Sequence, residues 1–152
     1  MNTPQDRLDI IDTVNAIFVG TDAHDWECVK NAFADDVWLD YSSMGAEAAT
    51  LSPEAIVESW QGVLPGFEAT QHSISNHAVR VDGDEATCMS YGTALHYLPD
   101  SGGDVWRVVG HYHHHLVCTQ QGWKVDRMTF TLRFMDGNTD LPTLAQERVA
   151  GA

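Results

Sequence analysis

Residues 70–98 read TQHSISNHAVRVDGDEATCMSYGTALHYL, and this stretch determines the fold class. Extended segments lie on both sides of Asp82-Gly83-Asp84, whose composition is typical of a hairpin turn. Two more segments with the extended pattern follow before residue 135. The sequence therefore predicts four consecutive long strands, at about Thr70–Val81, Ala86–Leu98, Val105–Thr119 and Trp123–Phe134.

Helical periodicity precedes these strands, and a short strand is expected at Val37–Tyr41. The predicted helices are one on the stripe Leu8, Ile11, Val14 and Phe18, one at about Trp26–Phe33, one from Ser52-Pro53 to Pro65-Gly66, and a short one around Leu141–Val149. Helices followed by an antiparallel meander predict an α+β fold with the helices on one face of a curved sheet. In the last strand the apolar residues change parity, so we expect a β-bulge near Asp126 or Arg127.

Composition narrows the class of protein. The 152 residues, 43% of them apolar, suit one domain with one core. Eight basic residues against 22 acidic ones give a formal charge of -14, which argues against binding to nucleic acid or to an anionic membrane. The absence of a membrane-length apolar run and of a signal peptide pattern, with only three scattered cysteines, predicts a cytoplasmic protein.

Small side chains on one strand face leave room for a pocket. This face carries Ala86, Cys88, Ser90, Gly92, Ala94 and His96. On the next strand Trp106, Val108, Tyr112, His114 and Leu116 share a face. A bulged sheet with helices in its concavity therefore predicts a cone-like cavity between these faces and the helices.

Three ionisable residues are the candidates for chemistry in that cavity. Asp22 follows Phe18 by four residues, so a first helix that reaches it would place its carboxylate on the buried stripe. A carboxylate at a helix C-terminus needs compensation, and the alternative is that Asp22 caps the second helix in solvent. Neither His72 nor His96, considered alone, indicates a catalytic site. With Asp22 they suit proton abstraction next to a carbonyl and protonation of a leaving group.

Several segments of the sequence resemble those of a known family. Thr21–Trp26 followed by Ala34–Tyr41 resembles the helix-to-strand segment of scytalone dehydratase and of the SnoaL-like group in the nuclear transport factor 2-like superfamily. Thr70-Gln71-His72, Gly110-His111 and Gly122–Val125 resemble later landmarks in the same order. The resemblance covers about residues 5–135 and implies a single SnoaL-like domain over 1–152, with 136–152 as a tail. It also implies a cystatin-like cone with a curved, mostly antiparallel sheet.

The resemblance assigns roles residue by residue. It implies catalytic roles for Asp22, His72, His96 and Tyr41, with His96 paired to Asp22 and Tyr41 as one of two tyrosines that hold a water on the substrate carbonyl. Thr21 stands where the second tyrosine would be, and His114 and Leu116 stand where the dehydratase has a serine and an asparagine. These departures argue against scytalone itself as the substrate. The residues expected to contact substrate are Thr21, Trp38, Tyr112, His114, Leu116, Met128 and Phe130.

The function expected from this sequence is a cofactor-independent, dehydratase-like lyase acting on a small apolar cyclic or polyketide-like substrate. An isomerase of the ketosteroid isomerase type, or a polyketide cyclase, would use the same pocket, and a non-catalytic binding protein is a third alternative. A homodimer or homotrimer is implied by the resemblance. His111, His113 and His115 could instead share a metal, but three imidazoles on one strand do not easily reach one tetrahedral centre, so no metal is expected.

Overall fold

The computed structural model describes residues 2–152, and α1 (Pro4–Asp22) opens it with a capping box. The Thr3 hydroxyl accepts a hydrogen bond from the Asp6 backbone N–H, while the Asp6 carboxylate accepts one from the Thr3 backbone. Pro4 occupies the first helical position, where no backbone N–H is needed. α1 therefore begins at a well-defined residue, and its other end reaches Asp22.

The remaining elements follow in the order predicted, with one small strand added. They are α2 (Trp26–Ala32), β1 (Phe33–Asp40), β2 (Ala49–Leu51), α3 (Pro53–Gln61), β3 (Ala69–Asp82), β4 (Glu85–Tyr97), β5 (Val105–Thr119), β6 (Gly122–Gly137) and α4 (Leu141–Ala150). Short 3-10 turns occupy Ser42–Met44 and Leu64–Gly66. None of the helices within residues 2–152 combines the length and the apolar character that a membrane crossing requires.

One six-stranded sheet is formed, in the order β2-β1-β6-β5-β4-β3. The four long strands make the predicted antiparallel meander, whereas β1 lies parallel to β6. Leu116 pairs with Val125 and His115 with Arg127, which leaves Asp126 as the extra residue of a bulge at the predicted position. The bulge changes which side chains of β6 face the helices.

The core lies between α1 and the concave face of the sheet. Ile10, Val14 and Ile17 of α1 are completely buried there. They pack in one cluster with Val29, Val37, Leu116, Val125 and Met128. This packing fills one end of the cone, and a cavity bordered by His96 and Trp106 lies on the same side of the sheet.

Two boundaries differ from the sequence-based expectation. α2 ends at Ala32, and Phe33 already has extended backbone dihedrals and pairs with Val125 of β6. The pairing of β1 with β6 shifts between Phe33 and Trp38, a segment that includes the exposed Asp35 and Asp36. The acidic pair therefore lies within the strand and does not separate a helix from it.

A second, smaller core holds α4 against the end of β4. Phe67, Leu98, Leu141 and Ala145 form this cluster. Arg148 Nη1 donates a hydrogen bond to the Gly66 carbonyl, at 2.8 Å. A Cβ placed on Gly66 would lie 2.0 Å from the Ala145 carbonyl oxygen, so this contact between the turn and α4 requires glycine.

We expect Gly66→Ala to displace α4 and to lower the free energy of unfolding by about 2 kcal/mol or more, because the clash is with backbone. Urea denaturation measures the change. Gly62→Ala is the control, since Gly62 has an ordinary helical conformation and a methyl there meets only carbonyls of α3. Equal stabilities of the two variants would contradict the proposed close contact.

Candidate active site

Asp22, the last residue of α1, receives three hydrogen bonds from β3. The backbone N–H of His72 donates to Oδ2 at 2.7 Å, and the Thr70 hydroxyl donates to Oδ1 at 2.8 Å. His72 Nδ1 lies 2.7 Å from Oδ1. These contacts supply the compensation that a carboxylate needs at the negative end of a helix.

The hydrogen bonds decide the charge of Asp22. Burial alone would raise its pKa, but the side-chain and backbone donors of His72, together with Thr70, outweigh burial and lower the pKa below its usual value. The carboxylate is therefore ionised at neutral pH and can only accept hydrogen bonds. His72 Nδ1 must carry a proton, which leaves Nε2 as the basic atom when the ring is neutral.

His96 has a different hydrogen-bond partner from His72 and a drier environment. Its side chain is buried, and Nδ1 lies 3.1 Å from the carbonyl oxygen of Trp106. A carbonyl oxygen only accepts, so Nδ1 carries the proton. Burial lowers the pKa of His96 to about 4, with smaller opposing effects from its neighbours, so the ring is neutral at pH 7 with its lone pair on Nε2. The His72 and His96 ring centroids are 6.0 Å apart.

Both imidazoles border one cavity of about 410 Å³. Its wall is mainly apolar and includes Phe18, Leu39, Met44, Leu51, Trp60, Val63, Leu64, Trp106, Val108, Phe130 and Pro142. Glu47, which is exposed, is the one acidic residue among those that border it, and no lysine or arginine of residues 2–152 does so. The cavity is therefore suited to an uncharged ligand with apolar surface.

Two phenol groups lie together in this cavity. Tyr41 follows β1, and Tyr112 comes from β5. Burial raises the pKa of Tyr41, an increase that the neighbouring Tyr112 hydroxyl moderates. Burial also raises the pKa of Tyr112, and Tyr41 and Asp22 add to the increase. Both phenols are therefore protonated at neutral pH and can donate hydrogen bonds.

The structure brings most of the predicted site residues together. Tyr41, His72 and His96 border the cavity, and Asp22 contacts it through His72. Of the residues expected to contact substrate, Thr21, Tyr112 and Phe130 border it as well. The predicted pairing of Asp22 with His96 requires correction. Asp22 pairs with His72 because β3 passes the end of α1, while His96 lies one strand further and binds a backbone carbonyl.

Four residues expected to contact substrate lie outside the cavity wall. Trp38 alternates with the cavity-lining Leu39 and so lies on the opposite face of β1. Leu116 and Met128 share the correct face but are fully buried in the core beneath α1. His114 lies behind the wall, with its ring centroid 6.0 Å from that of Phe18 and 5.6 Å from that of Tyr112.

Other residues of the site carried no strong signal in the sequence. Thr70 belongs to the Thr70-Gln71-His72 motif, but its hydrogen bond to Asp22 depends on where α1 meets β3. Trp60, on α3, and Pro142, on α4, border the cavity from helices outside the sheet. Trp60 follows the buried Ile56 by four residues, a spacing that indicates a face of α3 turned towards the interior but not a cavity.

The histidine run on β5 is divided by strand alternation. His114 faces the core, and His115 lies on the other face, 2.6 Å from Asp126 and 3.3 Å from Glu85. Across residues 2–152, no group of three or more His, Cys, Asp or Glu side chains is arranged to hold a metal ion.

A helix-filled cone of curved sheet, with an aspartate-histidine pair in an apolar cavity, defines a small-molecule pocket of the cystatin-like, nuclear transport factor 2-like fold. Solved structures of that fold share this architecture, so the predicted fold is confirmed. The SnoaL-like domain family model matches residues 3–129, and the chain belongs to this family.

Solved structures extend the comparison. The Kfla4162 protein of Kribbella flavida is 26% identical over 93% of this chain and 99% of its own, with a TM-score of 0.88. A proposed aromatic ring hydroxylase of Novosphingobium aromaticivorans is also 26% identical, over 93% and 99%, with a TM-score of 0.81. A proposed scytalone dehydratase of the same species is 21% identical over 88% and 91%, with a TM-score of 0.75, a likeness of fold. Among curated proteins, no sequence matches this chain.

The buried histidines should make the protein sensitive to acid. His114 is fully buried with neither ring nitrogen hydrogen-bonded, and burial lowers its pKa to about 3. Because the folded pKa values of His114 and His96 lie below the unfolded value near 6.5, the unfolded state binds protons first. Stability should therefore fall as the pH drops from about 6.5 towards 4, by up to about 1.4 kcal/mol per pH unit for each histidine.

Replacing His114 with methionine should reduce the loss in the free energy of unfolding as the pH is lowered. Urea denaturation between pH 7 and pH 4.5 measures this loss. His24→Asn is the matched control, because that side chain is exposed and is not among the groups that lower the pKa of His114. A His114→Met profile with the same slope as the control would show that His114 does not carry the effect.

Proposed function

We propose that this protein is a cofactor-independent lyase that eliminates a leaving group, in dehydratase fashion, from a small uncharged cyclic substrate. The observation that carries the proposal is the Asp22–His72 pair, held by three hydrogen bonds at the wall of an apolar cavity. A partly buried carboxylate that fixes an imidazole with Nε2 available is an arrangement suited to general base catalysis. The likeness in fold to a proposed scytalone dehydratase is consistent with this chemistry.

In the proposed reaction, His72 Nε2 removes a proton from the carbon next to a substrate carbonyl. The C–H electron pair moves into the developing enolate, and Asp22 stabilises the resulting imidazolium. The hydroxyl of Tyr41, with that of Tyr112, donates a hydrogen bond to the enolate oxygen. As the electrons return to form the double bond, the β-hydroxyl departs with the proton from His72 and leaves as water.

His96 has a different role in this scheme from the one expected from the sequence. Its single ring proton is directed to the Trp106 carbonyl, and the low pKa keeps Nε2 unprotonated at neutral pH. His96 is therefore suited to accept a hydrogen bond from a substrate hydroxyl and not to protonate the leaving group. One imidazole, His72, then serves as both base and acid.

The same observation favours a second candidate, an isomerase. A single imidazole that takes a proton from one carbon can return it to another, with no leaving group and no second acid. A cyclase would use the same enolate as a nucleophile. The mass of the product distinguishes these reactions, because only dehydration lowers the mass of the substrate by that of water.

Proton abstraction can be tested with 5-nitrobenzisoxazole, an uncharged bicyclic compound that one proton transfer opens to a coloured phenolate. We expect Asp22→Asn and His72→Ala each to lower kcat/KM for this probe by about 100-fold or more, while the Tm changes little. His72→Ala removes the base, and Asp22→Asn removes the charge that stabilises the imidazolium.

Asp12→Asn and His113→Gln are the matched controls, since both side chains are exposed and distant in sequence from the pair. Their rates should equal that of the wild type. Site variants that retain the control rates would remove the proposed base.

We also propose that the protein forms a homodimer or homotrimer through the outer face of the sheet. Four large hydrophobic side chains of β4, Met89, Tyr91, Leu95 and Tyr97, are more than 40% exposed there. Leu95→Glu should dissociate the oligomer, as measured by light scattering after size-exclusion chromatography. Val19→Glu, on the exposed face of α1, is the control. A wild-type monomer would contradict the proposal.

A further inference from the structure

Two glycines face each other in the middle of the sheet, below the cavity. Gly92 of β4 and Gly110 of β5 are cross-strand partners on the concave side, and both are buried. Neither has a positive φ angle, so the backbone conformation at these positions does not require glycine. The need for glycine must come from the atoms that lie over the two positions, which are side-chain atoms alone at Gly92 and both backbone and side-chain atoms at Gly110.

Each glycine leaves space for an aromatic ring from the neighbouring strand. A Cβ on Gly92 would lie 2.3 Å from Cε2 and 2.9 Å from Cδ2 of Tyr112. A Cβ on Gly110 would lie 2.3 Å from the carbonyl oxygen of Thr131 and 2.5 Å from Cζ of Phe130. All these distances are well below van der Waals contact, so the rings of Tyr112 and Phe130 lie directly on the glycine backbone.

The ring of Tyr112 is also confined on its other sides. The centroids of Phe18 and Phe130 are each 4.8 Å from that of Tyr112, and the ring of His114 stacks at 5.6 Å. The ring therefore has no free space into which a methyl group at position 92 could push it, other than the cavity. In its present position the ring borders the same cavity as Tyr41, and both tyrosine rings pack against Phe130, with centroid separations of 4.8 Å for Tyr112 and 5.7 Å for Tyr41.

We propose that Gly92, with Gly110 beside it, is a positioning residue that holds the Tyr112 phenol next to Tyr41 and thereby builds a site with two hydroxyl donors for one ligand oxygen. The sequence lacks a tyrosine immediately before Asp22, where Thr21 stands. The second phenol of this cavity is that of Tyr112 on β5. Its ring can lie flat on the sheet because the neighbouring strand has a glycine, Gly92, at that position. The use of the phenols in catalysis rests on the proposed function, but their placement does not.

A thermodynamic cycle tests the placement without any substrate. In a strand, Gly→Ala is neutral or stabilising where the methyl group has room. We expect Gly92→Ala to lower the Tm in the wild-type background and to be neutral or stabilising in a Tyr112→Leu background, because the ring that it would strike is absent. An equal loss of Tm in both backgrounds would overturn the proposal.

Tyrosine ionisation gives a second test that does not depend on the stability of Tyr112→Leu. Of the four tyrosines, Tyr91 and Tyr97 are exposed, and the pKa values of Tyr41 and Tyr112 are raised. Near-ultraviolet absorbance should thus show two groups, Tyr41 and Tyr112, that ionise above the usual pH range of a phenol. In Gly92→Ala one high-pH group, identified by its loss in Tyr112→Phe, should ionise at lower pH. An unchanged profile would overturn the proposal.

The reaction of 5-nitrobenzisoxazole links placement to catalysis. Tyr112→Phe and Gly92→Ala should each lower kcat/KM by about 10-fold or more, and the double variant should lose no more than Tyr112→Phe alone. Additive losses would overturn the proposal. If the titration changes while neither Asp22→Asn nor His72→Ala affects the rate, the placement holds and the proposed lyase function fails.

Discussion

The hydrogen bonds between Asp22 and β3 are the interaction on which the site depends. A carboxylate at the C-terminal end of a helix, half removed from water, is unfavourable on two counts. Hydrogen bonds from the Thr70 hydroxyl, the His72 backbone and the His72 ring outweigh these costs, so the Asp22 carboxylate remains ionised inside the protein. The same three bonds fix the position of α1 relative to β3 and the orientation of the imidazole. The contact between α1 and β3 and the chemistry of the pocket therefore depend on the same local arrangement.

The two histidines of the cavity show how a partner determines the function of a side chain. His72 donates to a carboxylate, whereas His96 donates to a neutral carbonyl in a drier environment, which lowers the pKa of His96 and keeps its ring neutral. Both rings have the same tautomer when neutral, with the proton on Nδ1. Their chemistry differs because only His72 has a negative charge behind it. This asymmetry supports one proton-transferring imidazole and one hydrogen-bond acceptor.

Much of the fold could be predicted from sequence, because the signals were local. Strand alternation predicted the meander, and the parity change between Val125 and Met128 predicted a bulge near Asp126 or Arg127, which the structure has at Asp126. The convergence of Asp22, His72 and His96 followed from helix spacing together with family resemblance. The parallel pairing of β1, the partner of Asp22 and the extent of the cavity could not be predicted. Leu116 and Met128 have the correct alternation for cavity residues, and only the packing of α1 excludes them. Such choices depend on distances between elements that are remote in sequence.

The position of α4 makes a helix at the periphery of the fold part of the cavity wall. Pro142 belongs both to the cavity wall and to a helix whose hydrophobic contacts are mostly with its own small core, separate from the one beneath α1. Such segments undergo local opening more often than the central sheet does. Substitutions at Pro142 would therefore alter the cavity wall while leaving Asp22 and its donors untouched. Substitutions that change the cavity wall at α4 and substitutions that change the proton-transferring pair would then lie in different parts of the chain.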